Sequence, residues 1–264
     1  MLQYDFMVHA FQAGTVVAIV AGAIGYFVVV RSTSFAAHAL SHIGFAGATG
    51  AVVLGLSPVF GLLAFTLGSG VTIGALGSRI RGRDVTIGIV LAWTLGLGVL
   101  FISLYTGYAT EAYALLFGEI LGISERDVEI VVVAAIPTLI ALAVLYRPLL
   151  FSSVDESLAA ARGVPVTALS IAFMAVLALA VTEAVQVVGV LLIFALIVTP
   201  AAIAIRWTQR PAAAIAISAG LALLFTWVGL TIAFYQPHPV SFFITSLAFG
   251  TYLVVRIAGA VRRV

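Results

Sequence analysis

Nine stretches of this chain are each apolar over about the length that a helix needs to cross a membrane, and this repetition is what most limits the folds open to it. They lie at about 12–30, 35–56, 58–78, 85–106, 127–146, 167–182, 186–205, 212–235 and 240–258, since a hydrocarbon layer about 30 Å thick takes about 20 residues of helix. The second stretch is the weakest. It holds two histidines and many small residues, and only Gly55-Leu56-Ser57-Pro58 links it to the third. The sixth is short for a full crossing. The chain therefore reads as an all-α integral membrane protein with about eight or nine transmembrane helices. Charge agrees. Only 8% of the 264 residues are charged and 63% are hydrophobic, whereas a water-soluble domain carries about a quarter charged residues.

The first apolar stretch is expected to stay in the mature protein. Met1 to Phe11 holds Asp5 and His9 but no basic residue and no small-residue cleavage site. All basic residues are arginine, and their placement sets the orientation. With the Arg79-Ile80-Arg81-Gly82-Arg83-Asp84 loop in the cytosol, strict alternation also puts Arg31, Arg147, Arg162, Arg206, Arg210, Arg256, Arg262 and Arg263 there. Only Arg126 falls outside, while most acids do so. The N-terminus is then outside and the C-terminus inside. Two connections are long. Tyr108–Arg126 lies outside, with room for a short helix, and Arg147–Val166 lies in the cytosol. Neither amounts to a soluble domain, so residues 1–264 read as one transmembrane domain. The 25 glycines suit close helix packing in lipid. No basic run is long enough to point to nucleic acid.

The most polar interruption is Phe151 to Pro165. Ser153 and Glu156 have capping-box spacing. Asp155 and Glu156 would sit in a first turn and Arg162 in a last turn, as the helix dipole favours, with Gly163 and Pro165 as the stop. An amphipathic helix of two turns at about 152–163 follows, with Val154, Leu158 and Ala161 on one face. It is either a capped connection that keeps two spans apart or a helix that fits a groove of a cytosolic partner.

His38 and His42 stand apart from His9 and His238, which lie at outer ends of spans. In Phe35-Ala36-Ala37-His38-Ala39-Leu40-Ser41-His42-Ile43-Gly44 the i, i+4 spacing puts both imidazoles on one helical face. Ionisable residues inside a span are costly and face a cavity or a partner. Two imidazoles on adjacent turns form half a site for zinc, manganese or a related ion; the other reading is that they bond neighbouring backbone or line a helix contact. Without cysteine, any metal must be held by His, Asp, Glu, carbonyls or water. The glutamate of a hydrolytic HExxH motif is missing. Two ligands do not complete a shell, so water, another segment or a second copy across a twofold axis must supply the rest. Ser41 lies close enough to contribute. Glu119 and Glu183 are expected at the external surface, with gating or ion-admitting roles. Pro200 should bend its helix.

Four segments in this order resemble the permease subunits of zinc/manganese/iron ABC importers. They are His38-Ala39-Leu40-Ser41-His42, Phe117-Gly118-Glu119-Ile120-Leu121, Asp155 to Val164, and Val187 to Ala202. The resemblance spans nearly the whole chain. It implies a type II-like importer fold in the plasma membrane of a prokaryote. It further implies a homodimer that carries two cytosolic ABC ATPase subunits and receives metal from an external solute-binding protein. Asp155, Glu156, Leu158, Ala159, Arg162 and Gly163 match that family's coupling segment. His38 and His42 match its in-membrane ligands, typically an Asp and a His four apart. Here a neutral nitrogen replaces the carboxylate, which favours zinc over manganese or iron. The transported ion would be the only metal, with no permanently bound cofactor. The chain has no P-loop, so it is no ATPase and no enzyme; a partner must hydrolyse ATP. Three rivals remain, an ion-coupled secondary transporter of metal or a polar solute, an ABC permease for a metal chelate, and a structural or assembly subunit.

Overall fold

A computed structural model describes residues 1, 3–76, 83–104, 118, 120–236 and 238–261. Among these residues all regular structure is helical: α1 Asp5–Val30, α2 Ser34–Val53, α3 Pro58–Leu76, α4 Arg83–Leu104, α5 Glu125–Val154, α6 Glu156–Ala161, α7 Val166–Trp207, α8 Pro211–Tyr235 and α9 Val240–Val261. Seven of them, all but α2 and α6, are long and apolar enough to cross a membrane. The protein is thus a multi-pass membrane protein. Helix α2, with its histidines and small residues, is mostly buried among the others.

Helix α7 has 42 residues, which would make a straight rod about 63 Å long, twice the thickness of a bilayer core. It folds back instead. The Phe173 ring lies 6.3 Å from that of Phe27, and a Cβ placed on Gly25 would lie 3.4 Å from the Cβ of Ala201. Two ends of α7 therefore meet the same turn of α1, although a straight helix would part Phe173 from Ala201 by about 42 Å. The turn is at Gly189, where φ is 79° and ψ 165°, a backbone region that essentially only glycine enters. The result is a hairpin with arms at 166–188 and 190–207. The arms match the expected sixth and seventh spans, but the turn lies beyond the expected one. Pro200, expected to bend its helix, sits within the second arm, and the non-helical backbone of α7 is at Gly189.

The helices alternate in direction as the arginine pattern requires. Helices α1 and α8 are antiparallel, with Gly22 against Ser218 and Ala219 and Gly14 against Thr226 and Leu230. Helices α2 and α3 are antiparallel, with Gly44 beside Leu62 and Thr66 and Gly47 beside Gly61. Helix α4 runs with α2, bringing Gly88 near Phe35 and Gly50 near Phe101. Without a hydrophobic driving force in lipid, such small-residue contacts are what hold helices together. Two groups result, α2–α3–α4 and α1–α5–α8, with α7 packed against both; α1 and α2 hardly touch each other.

Helix α5 is longer than expected. It starts in a capping box in which Ser124 and Asp127 satisfy each other's backbone N–H groups, and it runs through Pro137 and Pro148 to Val154. This moves the next cap. Ser153 lies inside α5 and donates its hydroxyl to the Leu149 carbonyl at 2.6 Å. The expected Ser153–Glu156 box does not form, and Asp155 caps α6 instead.

Candidate functional site

Helix α2 starts after the three-residue connection Arg31-Ser32-Thr33, and His38 and His42 follow one and two turns in. Both side chains are half-buried. Their rings meet edge to face, with centroids 4.6 Å apart and planes at 77°. Phe194, on the second arm of α7, closes one side of His38, its ring 5.0 Å away. Nδ1 of His38 is buried and makes no hydrogen bond. A buried polar atom left in this state costs about 1–3 kcal/mol unless some other ligand satisfies it. Ser41 does not join the pair. It is buried and donates its hydroxyl to the Ala37 carbonyl of its own helix at 3.1 Å.

Of the two glutamates singled out from the sequence, Glu183 does not join the histidines in a metal-holding group. Glu119 lies outside the described residues. Glu183 was expected at the external surface, but it is only 2% exposed. It sits six residues before the Gly189 break, and neither carboxylate oxygen has a hydrogen-bond partner. Its neighbour Thr182 reaches across to Thr66 of α3, hydroxyl to hydroxyl, at 2.6 Å. Among the described residues no group of three or more His, Asp or Glu side chains could hold a metal. The described residues of one chain therefore offer two nitrogens and no third side-chain ligand. His9 is half-buried within α1, and His238 is exposed beside Phe243.

Helix α6 lies at the end of the bundle that carries Arg31. Asp155 accepts from the N–H groups of Ser157 and Leu158 at 2.8 and 2.9 Å. The Ser157 hydroxyl also donates to it, and these donors hold its carboxyl below the usual carboxylate range. At the other end Gly163 takes φ 83°. The chain closes there with Gly163 N–H on the Ala160 carbonyl and Val164 N–H on the Ala159 carbonyl, both at 3.0 Å, a left-handed glycine cap. The shared face of Val154, Leu158 and Ala161 is turned outward. Ala159 is the buried residue, while Val154, Leu158 and Ala161 are exposed, Val154 at 87%. Glu156 is partly buried, and Arg162 and Gly163 are exposed.

Sequence reasoning missed Arg31. Its side chain is 6% exposed and faces Glu156 at 3.6 Å. The only signal was its place directly before the histidine helix.

The family model for the ABC 3 transport family matches residues 3–259. The manganese import system permease protein ScaB of Streptococcus parasanguinis is 32% identical over 233 residues, which are 88% of this chain and 83% of that protein. The manganese transport system membrane protein MntC of Listeria innocua serovar 6a is 31% identical over 86% of this chain and 84% of its own length. Among solved structures, PsaBC from Streptococcus pneumoniae in complex with a Fab superposes with a TM-score of 0.86 at 30% identity, covering 96% of this chain and 92% of that one. An inward-facing putative metal-chelate type ABC transporter shares the fold at 17% identity, with a TM-score of 0.71. These matches run the length of the helical bundle just described, and the chain belongs to the ABC 3 transport family, as a membrane permease and not as an enzyme.

Proposed function

We propose that this chain is the membrane-spanning subunit of an ATP-driven importer for a divalent transition-metal ion, and that His38 and His42 hold the ion in transit. The observation that carries the reading is the histidine pair itself. Two imidazoles face each other on a mostly buried helix, and His38 keeps an unpartnered buried nitrogen. A metal ion would satisfy that nitrogen, whereas an ordinary core histidine finds a protein partner.

The donor set ranks the cargo. Imidazole suits zinc, while manganese prefers carboxylate and water, so zinc is the favoured ion. A second reading, manganese, is favoured by the names of the relatives, two of them manganese permeases. Since one chain supplies two ligands, a twofold homodimer would supply four at its axis. Two cytosolic ATPase subunits would seat on α6, whose Val154, Leu158 and Ala161 are already outward, and an external binding protein would deliver the ion. The test is competitive uptake of zinc, manganese and iron by cells carrying the full system. His38→Ala with His42→Ala is expected to abolish uptake while the complex still assembles. Normal uptake in that double variant would reject the site, and uptake of manganese in preference to zinc would select the second reading.

A further inference from the structure

The connection between α1 and α2 is held more tightly than a three-residue turn requires. The guanidinium of Arg31 lies against three elements. Nη1 donates to Ser152 Oγ, in the last turn of α5, at 2.7 Å. Nη2 stands 3.6 Å from Glu156 Oε1, in the first residue of α6. The guanidinium carbon lies 5.7 Å from the centre of the Phe173 ring, on the first arm of α7. Arginine suits such a place, because its planar fork can meet a hydroxyl, a carboxylate and an aromatic face at once.

The backbone at this point is equally constrained. Arg31 N–H donates to the Phe27 carbonyl at 3.0 Å. The N–H and the hydroxyl of Thr33 both donate to the Val28 carbonyl, at 2.9 and 3.2 Å. Ser32 takes φ 54°, a left-handed conformation uncommon for a non-glycine residue. Helix α2 begins at Ser34 with no slack, and His38 is one turn further on.

The packing gives this joint its meaning. Helix α1 belongs with α5 and α8, and α2 belongs with α3 and α4. Since α1 and α2 hardly touch, Arg31 sits where one group feeds directly into the other. It also faces α6, whose outer face is exposed.

We propose that Arg31 is a positioning residue that ties the tilt of α2, and with it the histidine pair, to the position of α6. A displacement of α6 pulls Glu156, which moves the guanidinium and turns the stiff connection at the foot of α2. The coupling half of this proposal rests on α6 being the seat of the ATPase.

The test reads the motion of α2 without reading cargo. The chain has no cysteine, so spin labels can be placed at Leu54→Cys, just past the far end of α2, and at Tyr235→Cys, at the same end on α8; both positions are exposed. With the ATPase subunits bound in lipid, the distance between the labels is measured with and without nucleotide. The wild-type residue at 31 is expected to give a nucleotide-dependent change that shrinks by half or more in Arg31→Lys and in Glu156→Gln. Glu156→Gln keeps the Ser152 bond and so guards against a folding artefact at the buried arginine. Metal taken up per ATP hydrolysed is expected to fall in parallel by about fivefold or more, the lower end of ordinary coupling between two sites. No nucleotide-dependent change with Arg31 in place, or an undiminished change in both variants, overturns the proposal. A system that shows the motion but carries no metal would instead overturn the function proposed above and leave the role of Arg31 standing.

Discussion

Under the function proposed above, a single donor atom at His38 bears on the choice of cargo. Exchanging its neutral nitrogen for an anionic oxygen moves the site toward harder ions. His38→Asp is therefore expected to lower the zinc-to-manganese uptake ratio by about tenfold, which corresponds to about 1.4 kcal/mol of relative affinity. Competition between the two radioactive ions measures it, and an unchanged ratio would show that this side chain does not select. The imidazole pair was legible from spacing alone, because i, i+4 residues share a helical face. Glu183 was misread for an equally simple reason. A charged residue between two apolar runs looks like a loop, and nothing local says that the helix continues for six more residues to Gly189.

Asp155 gives a second test at the residue scale. Its ionised carboxylate accepts the first amides of α6, so its folded-state pKa is depressed. A depressed carboxylate contributes stability above its unfolded pKa, and the contribution fades as pH falls through the lower folded value. The cap should therefore be fully present from neutral pH down to about pH 5, since an ordinary aspartate titrates near 4. Hydrogen exchange at Ser157 and Leu158 is the measurement. Corrected for intrinsic rates, protection should be equal at pH 7 and pH 5 and reduced at both in Asp155→Ala. Protection that vanishes between pH 7 and 5 would mean that another group holds this turn.

Among the elements, the α7 hairpin does most to arrange the site, since its second arm places Phe194 against His38. Its turn needs a conformation that costs a non-glycine residue about 1–3 kcal/mol. Gly189→Ala is expected to lower the thermal midpoint in detergent by several degrees. Gly220→Ala, in open space on α8, should leave it unchanged or raise it slightly. Equal effects at both positions would remove the argument from backbone strain. The existence of both arms could be read from hydropathy. The position of the turn could not, because hydropathy is blind to a glycine inside an apolar run. Helix α6 shows the same division. Its existence and its Gly163 stop were visible in the residues, but its start depended on how far α5 ran beyond Pro148. An interior proline costs a helix one backbone bond, and α5 continues past it to Val154.

For the whole molecule the hairpin adds a crossing to the seven helices long and apolar enough to span. With α7 folded back and α2 running antiparallel to α3, nine crossings are expected among the described residues, and Arg31 and Arg206, which follow the Gly25–Ala201 contact by six and five residues, come to one end. Arginine retention in the cytosol predicts that this end is inside. Single cysteines in this cysteine-free chain test it. In intact cells an impermeant maleimide is expected to label Leu54→Cys but neither Leu158→Cys nor Trp207→Cys, three exposed positions. Labelling of Trp207→Cys would mean that α7 crosses once and that the alternation fails after it. The large exposed apolar surface of α4, α5 and α9, including Trp93, Val133 and Phe249, is what lipid or a second copy would cover.

The central claim is that the histidine pair on α2 binds the cargo through its ring nitrogens. X-ray absorption at the zinc edge of the zinc-loaded complex tests this most directly. The account predicts nitrogen ligands at about 2.0 Å with the outer-shell scattering of imidazole, and loss of that signal in His38→Ala with His42→Ala. A zinc shell of oxygen alone, or an imidazole signal that survives the double substitution, would contradict it.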